Sequence, residues 1–138
     1  MTREELKAAA IAMLDRAYIP YSHFPVGAAL ECSDGSVFTG CNIENASFGP
    51  TICAERTAVA KAVSEGHRDF VRIVVAGRSK DFCVPCGVCR QVLREFACGP
   101  DMPVIAGAAG SGSFETRTLE ELLPGSFGPE YLLNDQQA

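Results

Sequence analysis

The stretch Phe70-Val71-Arg72-Ile73-Val74-Val75-Ala76 decides the fold class. It is a near-continuous apolar strand, the pattern of a sheet interior covered on both faces. Just upstream, a helix is expected from about Cys53 to Ser64, with Ala58, Val59, Ala62 and Val63 as its buried stripe and Gly66 as its stop. Downstream, after a loop from Gly77 to Val84, Pro85 can open a second helix through Cys86 to Phe96. Val104 to Ala108 reads as a further buried strand. The connection Ala109-Gly110-Ser111-Gly112-Ser113 is too short for a parallel crossover, so Phe114 to Thr118 is expected to return antiparallel.

The remaining elements follow from local signals. Leu6, Ala9, Ala10, Met13, Leu14 and Ala17 recur at helical spacing, and Thr2 with Glu5 forms a capping-box pattern, which predicts a helix from about Thr2 to Ala17. Pro20 and Pro25 enforce an extended connector. Val26 to Cys32 and Val37 to Asn42 read as strands, joined by Ser33-Asp34-Gly35-Ser36, whose Asp-Gly pair favours a tight hairpin. Leu119 to Leu123 predicts a short helix, and the tail from Pro124 reads as irregular before Tyr131-Leu132-Leu133. Helix, hairpin, helix, strand, helix, strand, strand is the order of a three-layer α/β/α sandwich around a mixed five-stranded sheet.

At 138 residues the chain fits one domain, 1–138, with enough length to bury a core without disulfide staples. No apolar run approaches the roughly 20 residues that span a bilayer. The start Met1-Thr2-Arg3-Glu4-Glu5 is too polar for a signal peptide, so a cytoplasmic location is expected. A net charge of −5 argues against a nucleic-acid polymer as partner, since that needs clustered Lys and Arg. Seven cysteines without an export signal point to thiols and metal binding rather than disulfides.

Three of those cysteines carry the chemistry. Thr51-Ile52-Cys53-Ala54-Glu55-Arg56 is answered by Pro85-Cys86-Gly87-Val88-Cys89-Arg90, and both clusters fall at predicted helix starts. A helix N-terminus lowers a thiol's pKa and steadies the thiolate. Three protein ligands and one open position describe a working zinc site, and Glu55 is placed to point its carboxylate at that position. Three thiolates on a divalent cation leave a charge of −1, which a cation or N–H donors should offset. Arg56 and Arg90 each follow a cluster, and at least one is expected to hydrogen-bond a ligating sulfur. Other readings stay open on spacing alone. A structural site could recruit Cys83 or Cys98 as a fourth ligand. An iron–sulfur run would need its fourth cysteine closer than Cys98 lies, and a thioredoxin-type dithiol would leave Cys53 and Glu55 without a purpose. Cys32 and Cys41 read as small buried hydrophobes, His67 as a solvated helix end, and His23 as a lone connector residue.

The chain resembles the small tetrameric cytidine deaminases in five ordered motifs. They are Tyr21-Ser22-His23-Phe24-Pro25-Val26-Gly27-Ala28, Gly40-Cys41-Asn42-Ile43-Glu44-Asn45-Ala46-Ser47, Cys53-Ala54-Glu55-Arg56, Pro85-Cys86-Gly87-Val88-Cys89-Arg90-Gln91 and Leu122-Leu123-Pro124-Gly125-Ser126-Phe127-Gly128-Pro129. The resemblance implies one zinc ion per chain on Cys53, Cys86 and Cys89, with Glu55 moving protons between the nucleophilic water, the pyrimidine ring nitrogen and the departing ammonia. It implies ribose recognition by Asn42 and Glu44, a base pocket that includes Phe24 and Ala54, and a homotetramer in which Phe127 packs on the pyrimidine of a neighbouring subunit. The implied reaction converts cytidine and 2′-deoxycytidine to their uridines in pyrimidine salvage. Blasticidin-type deaminases share these motifs, and a zinc-stabilised interaction module without turnover is the competing reading from another class. Phe48 stands where the family often has Tyr.

Overall fold

In a computed structural model, residues 1–78 and 83–133 are described; residues 79–82, in the loop expected between Gly77 and Val84, lie outside them. Five strands form one mixed sheet in the order β2-β1-β3-β4-β5. Strand β1 (Val26–Cys32) pairs antiparallel with β2 (Val37–Cys41) and with β3 (Phe70–Gly77). Strands β3 and β4 (Pro103–Ala108) run parallel, and β5 (Ser113–Thr118) returns antiparallel to β4, as its short connection requires.

Helices cover both faces, so the three-layer expectation holds. Helix α1 (Arg3–Ala12) lays Leu6 and Ala10 on Ala29, Val74, Ala76 and Ile105. On the opposite face, α2 (Ala54–Ser64) and α3 (Gly87–Phe96) close over Ala28, Leu30, Ile73, Val75 and Val104. Ile73, Val74, Val75 and Ala76 are each fully buried, alternating between the two cores, which is why the run carries no polar period.

One local expectation is corrected. The first helix does not run unbroken to Ala17: α1 ends at Ala12 and the chain tightens into a 3-10 turn over Met13–Arg16. The tighter turn still buries Leu14. Gly27 lets β1 pass close under α1, since a Cβ there would meet the Ala10 carbonyl oxygen at 2.0 Å. The tight hairpin forms as expected. Gly35 N–H donates to the Cys32 carbonyl at 2.9 Å, Cys32 N–H donates to the Ser36 carbonyl, and Gly35 lies at φ +90, the arrangement of a three-residue loop with glycine in the left-handed position. The capping box forms as expected: Glu5 N–H donates to Thr2 Oγ1 and Thr2 N–H to Glu5 Oε1. The short helices α4 (Leu119–Leu122) and α5 (Glu130–Leu133) end the described chain.

Register explains why the two cysteine clusters meet. Gly27 faces Cys41 and Val26 faces Gly77, so β2 and β3 finish at the same end of the sheet. The segments leaving those strands lead into α2 and α3, whose N-caps are Cys53 and Cys86. Gly40 permits the β2–α2 approach, since a Cβ there would lie 2.3 Å from the Ala54 carbonyl oxygen.

Candidate metal centre and its surroundings

Cys53 and Cys86 both hold extended backbone just before their helices, and Cys89 sits in the first turn of α3, fully buried. Their sulfurs lie within 4.8 Å of one another, with Cys53–Cys86 at 3.9 Å and Cys86–Cys89 at 3.5 Å. Tetrahedral bonds of zinc–sulfur length place neighbouring sulfurs about 3.8 Å apart, so the cluster already has the dimensions of a zinc site. Two helix N-termini converge on it, and their N–H groups favour thiolates.

Arg56 sits beside this negative charge. Its Nη2 donates to Cys53 Sγ at 3.9 Å and to the Thr51 carbonyl at 3.3 Å. Its Nε is the only buried side-chain nitrogen or oxygen without a partner among the described residues. A donor left over next to three thiols suits a site that gains negative charge when those thiols ionise. The Cys89 thiol bonding to Cys53, against the opposing effect of burial and with help from Arg56, lowers the Cys53 thiol to about 5. The bond to Cys53 and then burial push the Cys89 thiol up, while Arg56 lies on the Cys53 side of the pair. Arg90 plays a different part: its Nε donates to the Pro85 carbonyl and its Nη1 to the Leu122 carbonyl, both at 2.7 Å. Of the two arginines, Arg56 meets the expectation of bonding a ligand, and Arg90 steadies the turn that leads into Cys86.

No fourth sulfur joins the three among the described residues. Cys83 is half-buried in the sheet core, its Sγ 3.5 Å from where a Cβ on Gly77 would be, and burial pushes its thiol up to about 11. Cys98 is exposed past the end of α3. Among the described residues the structural-zinc reading therefore loses its fourth sulfur, and the cluster has three.

Glu55 follows in the first turn of α2 and is only 4% exposed. Burial pushes its carboxyl up to about 7; its own backbone N–H opposes the rise, the Cys53 thiolate adds to it and Arg56 again opposes. A carboxyl poised near neutrality beside an open metal position can both accept and release a proton.

The other expected site residues sit on the loops around that end of the sheet. Asn42 is spent largely on the backbone: its Oδ1 accepts from Val26 N–H at 2.9 Å and its Nδ2 donates to the Phe24 carbonyl at 2.8 Å, leaving one amide N–H and one lone pair free. Glu44 accepts from the Tyr21 and Ser22 N–H groups, both at 3.1 Å, and from the Ser22 hydroxyl, which together hold its carboxyl below the usual range. It lines a cavity of about 410 Å³ with Tyr21, Ser22, Asn45, Phe48 and Thr51. Ser22 is the residue that the sequence reading did not single out, and its place in the same motif as Phe24 was the available signal. Phe24 is 47% exposed beside His23, which stands at φ 58, and Ala54 is fully buried at the start of α2. Phe127 is 56% exposed and stacked on Tyr131 at 5.1 Å. His67 departs from expectation: it packs on Phe38 and its Nδ1 lies 3.3 Å from an Asp34 oxygen, because the hairpin turn folds over the end of α2. Cys32 and Cys41 are buried as expected.

This arrangement has counterparts. The family profile "Cytidine and deoxycytidylate deaminase zinc-binding region" matches residues 1–104. A cytidine deaminase from Halalkalibacterium halodurans is 52% identical over 130 residues, covering 94% of this chain and 97% of that protein. A probable cytidine deaminase from Dictyostelium discoideum is 49% identical, covering 96% and 90%. The crystal structure of cytidine deaminase from Burkholderia pseudomallei superimposes with a TM-score of 0.86 at 44% identity, covering 92% of this chain and all of that one. The Mycobacterium tuberculosis cytidine deaminase structure gives 0.77 at 36% identity, covering 93% and 98%. With its sulfur cluster, its sheet order and relatives alike along nearly the whole length, the chain belongs to the cytidine deaminase family.

Proposed function

We propose that the protein catalyses hydrolytic deamination of cytidine and 2′-deoxycytidine to uridine and 2′-deoxyuridine, releasing ammonia, and serves pyrimidine salvage in the cytoplasm. The observation that carries this reading is the pairing of a three-sulfur cluster with a buried acid whose carboxyl is raised to about 7. Zinc held by Cys53, Cys86 and Cys89 supplies the positive charge that makes a water nucleophilic near neutrality.

The residues of the chain do the rest. Glu55 is the catalytic residue: its carboxylate takes a proton from the attacking water and delivers it to the ring nitrogen of cytosine. It then passes the second proton to the exocyclic amine, so that the carbon–nitrogen bond breaks and ammonia leaves. Water contributes the oxygen of the new carbonyl and the balance closes without a redox partner. Its burial supports this role, because a carboxyl withdrawn from solvent holds an accepted proton more readily and so can pass it on. Arg56 holds Cys53 by the hydrogen bond already described. The free N–H of Asn42 and the pinned carboxylate of Glu44 suit a ribose diol, and they present no cation for a phosphate. Phe24 and Ala54 line the base, and Phe127 reaches the pyrimidine of a neighbouring copy in a homotetramer. The exposure of Phe24 and Phe127 supports a surface that a second copy completes.

Loss of cytidine absorbance, read together with ammonia release and zinc per chain, tests the reading. Glu55→Gln is expected to keep fold and zinc while turnover falls on the order of 10²–10⁴-fold. Turnover near that of the parent protein in that variant would overturn the assignment.

A further inference from the structure

Helix α3 carries two of the metal ligands at its start, and its outer face grips the C-terminal segment. Gln91 Nε2 donates to the Phe127 carbonyl at 2.9 Å, and Arg94 Nε donates to Ser126 Oγ at 2.8 Å. Arg94 Nη2 also pairs with Glu130. Gly128 is buried against the same guanidinium: a Cβ there would lie 2.3 Å from Arg94 Nη1. Arg94 thus reaches residues on both sides of Phe127 and leaves that ring facing outward.

A cavity of about 410 Å³ is lined by Arg94 and Ala97 on one side and by Gly125, Ser126 and Tyr131 of the segment on the other. Arg94 spans the two with directional, charge-assisted contacts. Arg94 is 23% exposed and, among the described residues, makes two of the three side-chain hydrogen bonds that α3 gives residues 126–130, one of them its ion pair, with Gln91 making the third.

We propose that Arg94 is a positioning residue: through Ser126, Gly128 and Glu130 it fixes the segment that presents Phe127 to the pyrimidine in a second copy's active site. The inference rests on Phe127 meeting the base of a neighbouring copy, as in the function proposed here. It links the two roles of α3, because one rigid helix then sets the metal ligands of its own site and the aromatic of its neighbour's.

The test is a double-mutant cycle on the zinc-loaded protein with Arg94→Ala, Phe127→Ala and the pair. KM and kcat for cytidine are measured beside zinc content and assembly by light scattering. Arg94→Ala is expected to raise KM about tenfold, with a smaller change in kcat, at unchanged zinc and assembly. The pair is expected to be no worse than Phe127→Ala alone, because both changes disable one contact. Additive losses, an unchanged KM in Arg94→Ala, or loss of zinc or assembly would each overturn the positioning role. If Phe127→Ala itself leaves KM unchanged, the reading of Phe127 has failed, and that outcome is distinct from a sensitive Phe127 with a neutral Arg94. Should Arg94→Ala fail to fold, Glu130→Gln loosens the same grip from the other side. It is expected to raise KM in the same direction by a smaller factor, and an unchanged KM there overturns the proposal.

Discussion

At the scale of single residues, the centre depends on how one arginine and one glutamate differ from their neighbours. Arg56 and Arg90 each directly follow a cluster, yet only Arg56 turns toward a sulfur. A guanidinium beside three thiolates offsets their excess negative charge and favours the metal-bound form. Arg56→Gln is therefore expected to weaken zinc binding about 10- to 100-fold with the fold intact, read by competition with a chelator of known affinity. Zinc retention equal to that of the parent protein would remove Arg56 from the centre. The sulfur cluster was legible in the sequence because both of its parts fall at predicted helix starts in metal-ligand spacing. Which arginine would bond a ligand was not legible, since both follow their cluster directly and only the packing of α3 against α4 sends Arg90 to the Leu122 carbonyl.

At the scale of elements, the β1–β3 pairing carries a charge that the periodic pattern hides. Glu31 faces Arg72 across the two strands, and the N-terminal ammonium joins them, so the start of α1 is tied to the sheet. Burial by itself would raise the Glu31 carboxyl, but the Arg72 guanidinium and the N-terminal ammonium hold it below its ordinary 4.5. A depressed acid stabilises the fold fully above its unfolded value and loses that effect as pH falls through its folded value. Glu31→Gln is expected to lower Tm by roughly 3 °C near neutrality, about 1 kcal/mol. The gap should narrow as pH drops below 4.5 and close in strong acid. A gap of constant size from pH 7 to pH 3 in thermal melts would show that the ion pair is not its source. The ends of helices and turns were the weakest part of the sequence reading for a related reason. Asp34-Gly35 predicts the turn, but not that Ser33 N–H is tied to the Asp69 carbonyl just before β3.

At the scale of the whole molecule, the described chain leaves large apolar side chains uncovered: Phe24, Phe48, Phe127, Tyr131, Leu132 and Leu133 are all exposed. Such a surface costs solubility unless it is covered, which accords with the proposed assembly. If neighbouring copies complete one another's sites, specific activity is expected to fall on dilution in step with dissociation, at unchanged zinc per chain. Equal specific activity for a monomer, established by light scattering at the assay concentration, would sink the sharing of sites. Among the described residues no helix is long and apolar enough to cross a membrane, in keeping with the absence of long apolar runs.

The sequence by itself determined the layers of the fold and the three cysteines that could hold a metal ion. Apolar runs, the short link before β5 and the cysteine spacing are local facts, and each admits few solutions. Tertiary structure decided which distant groups meet. It brought the ends of β2 and β3 to one edge so that two helix starts share three sulfurs. It also buried Glu55 enough to lift its carboxyl, kept Cys83 out of the cluster, and laid Arg94 against Gly128. The physical reason is that distance, burial and charge environment belong to pairs of residues far apart along the chain, and periodicity reports only on neighbours.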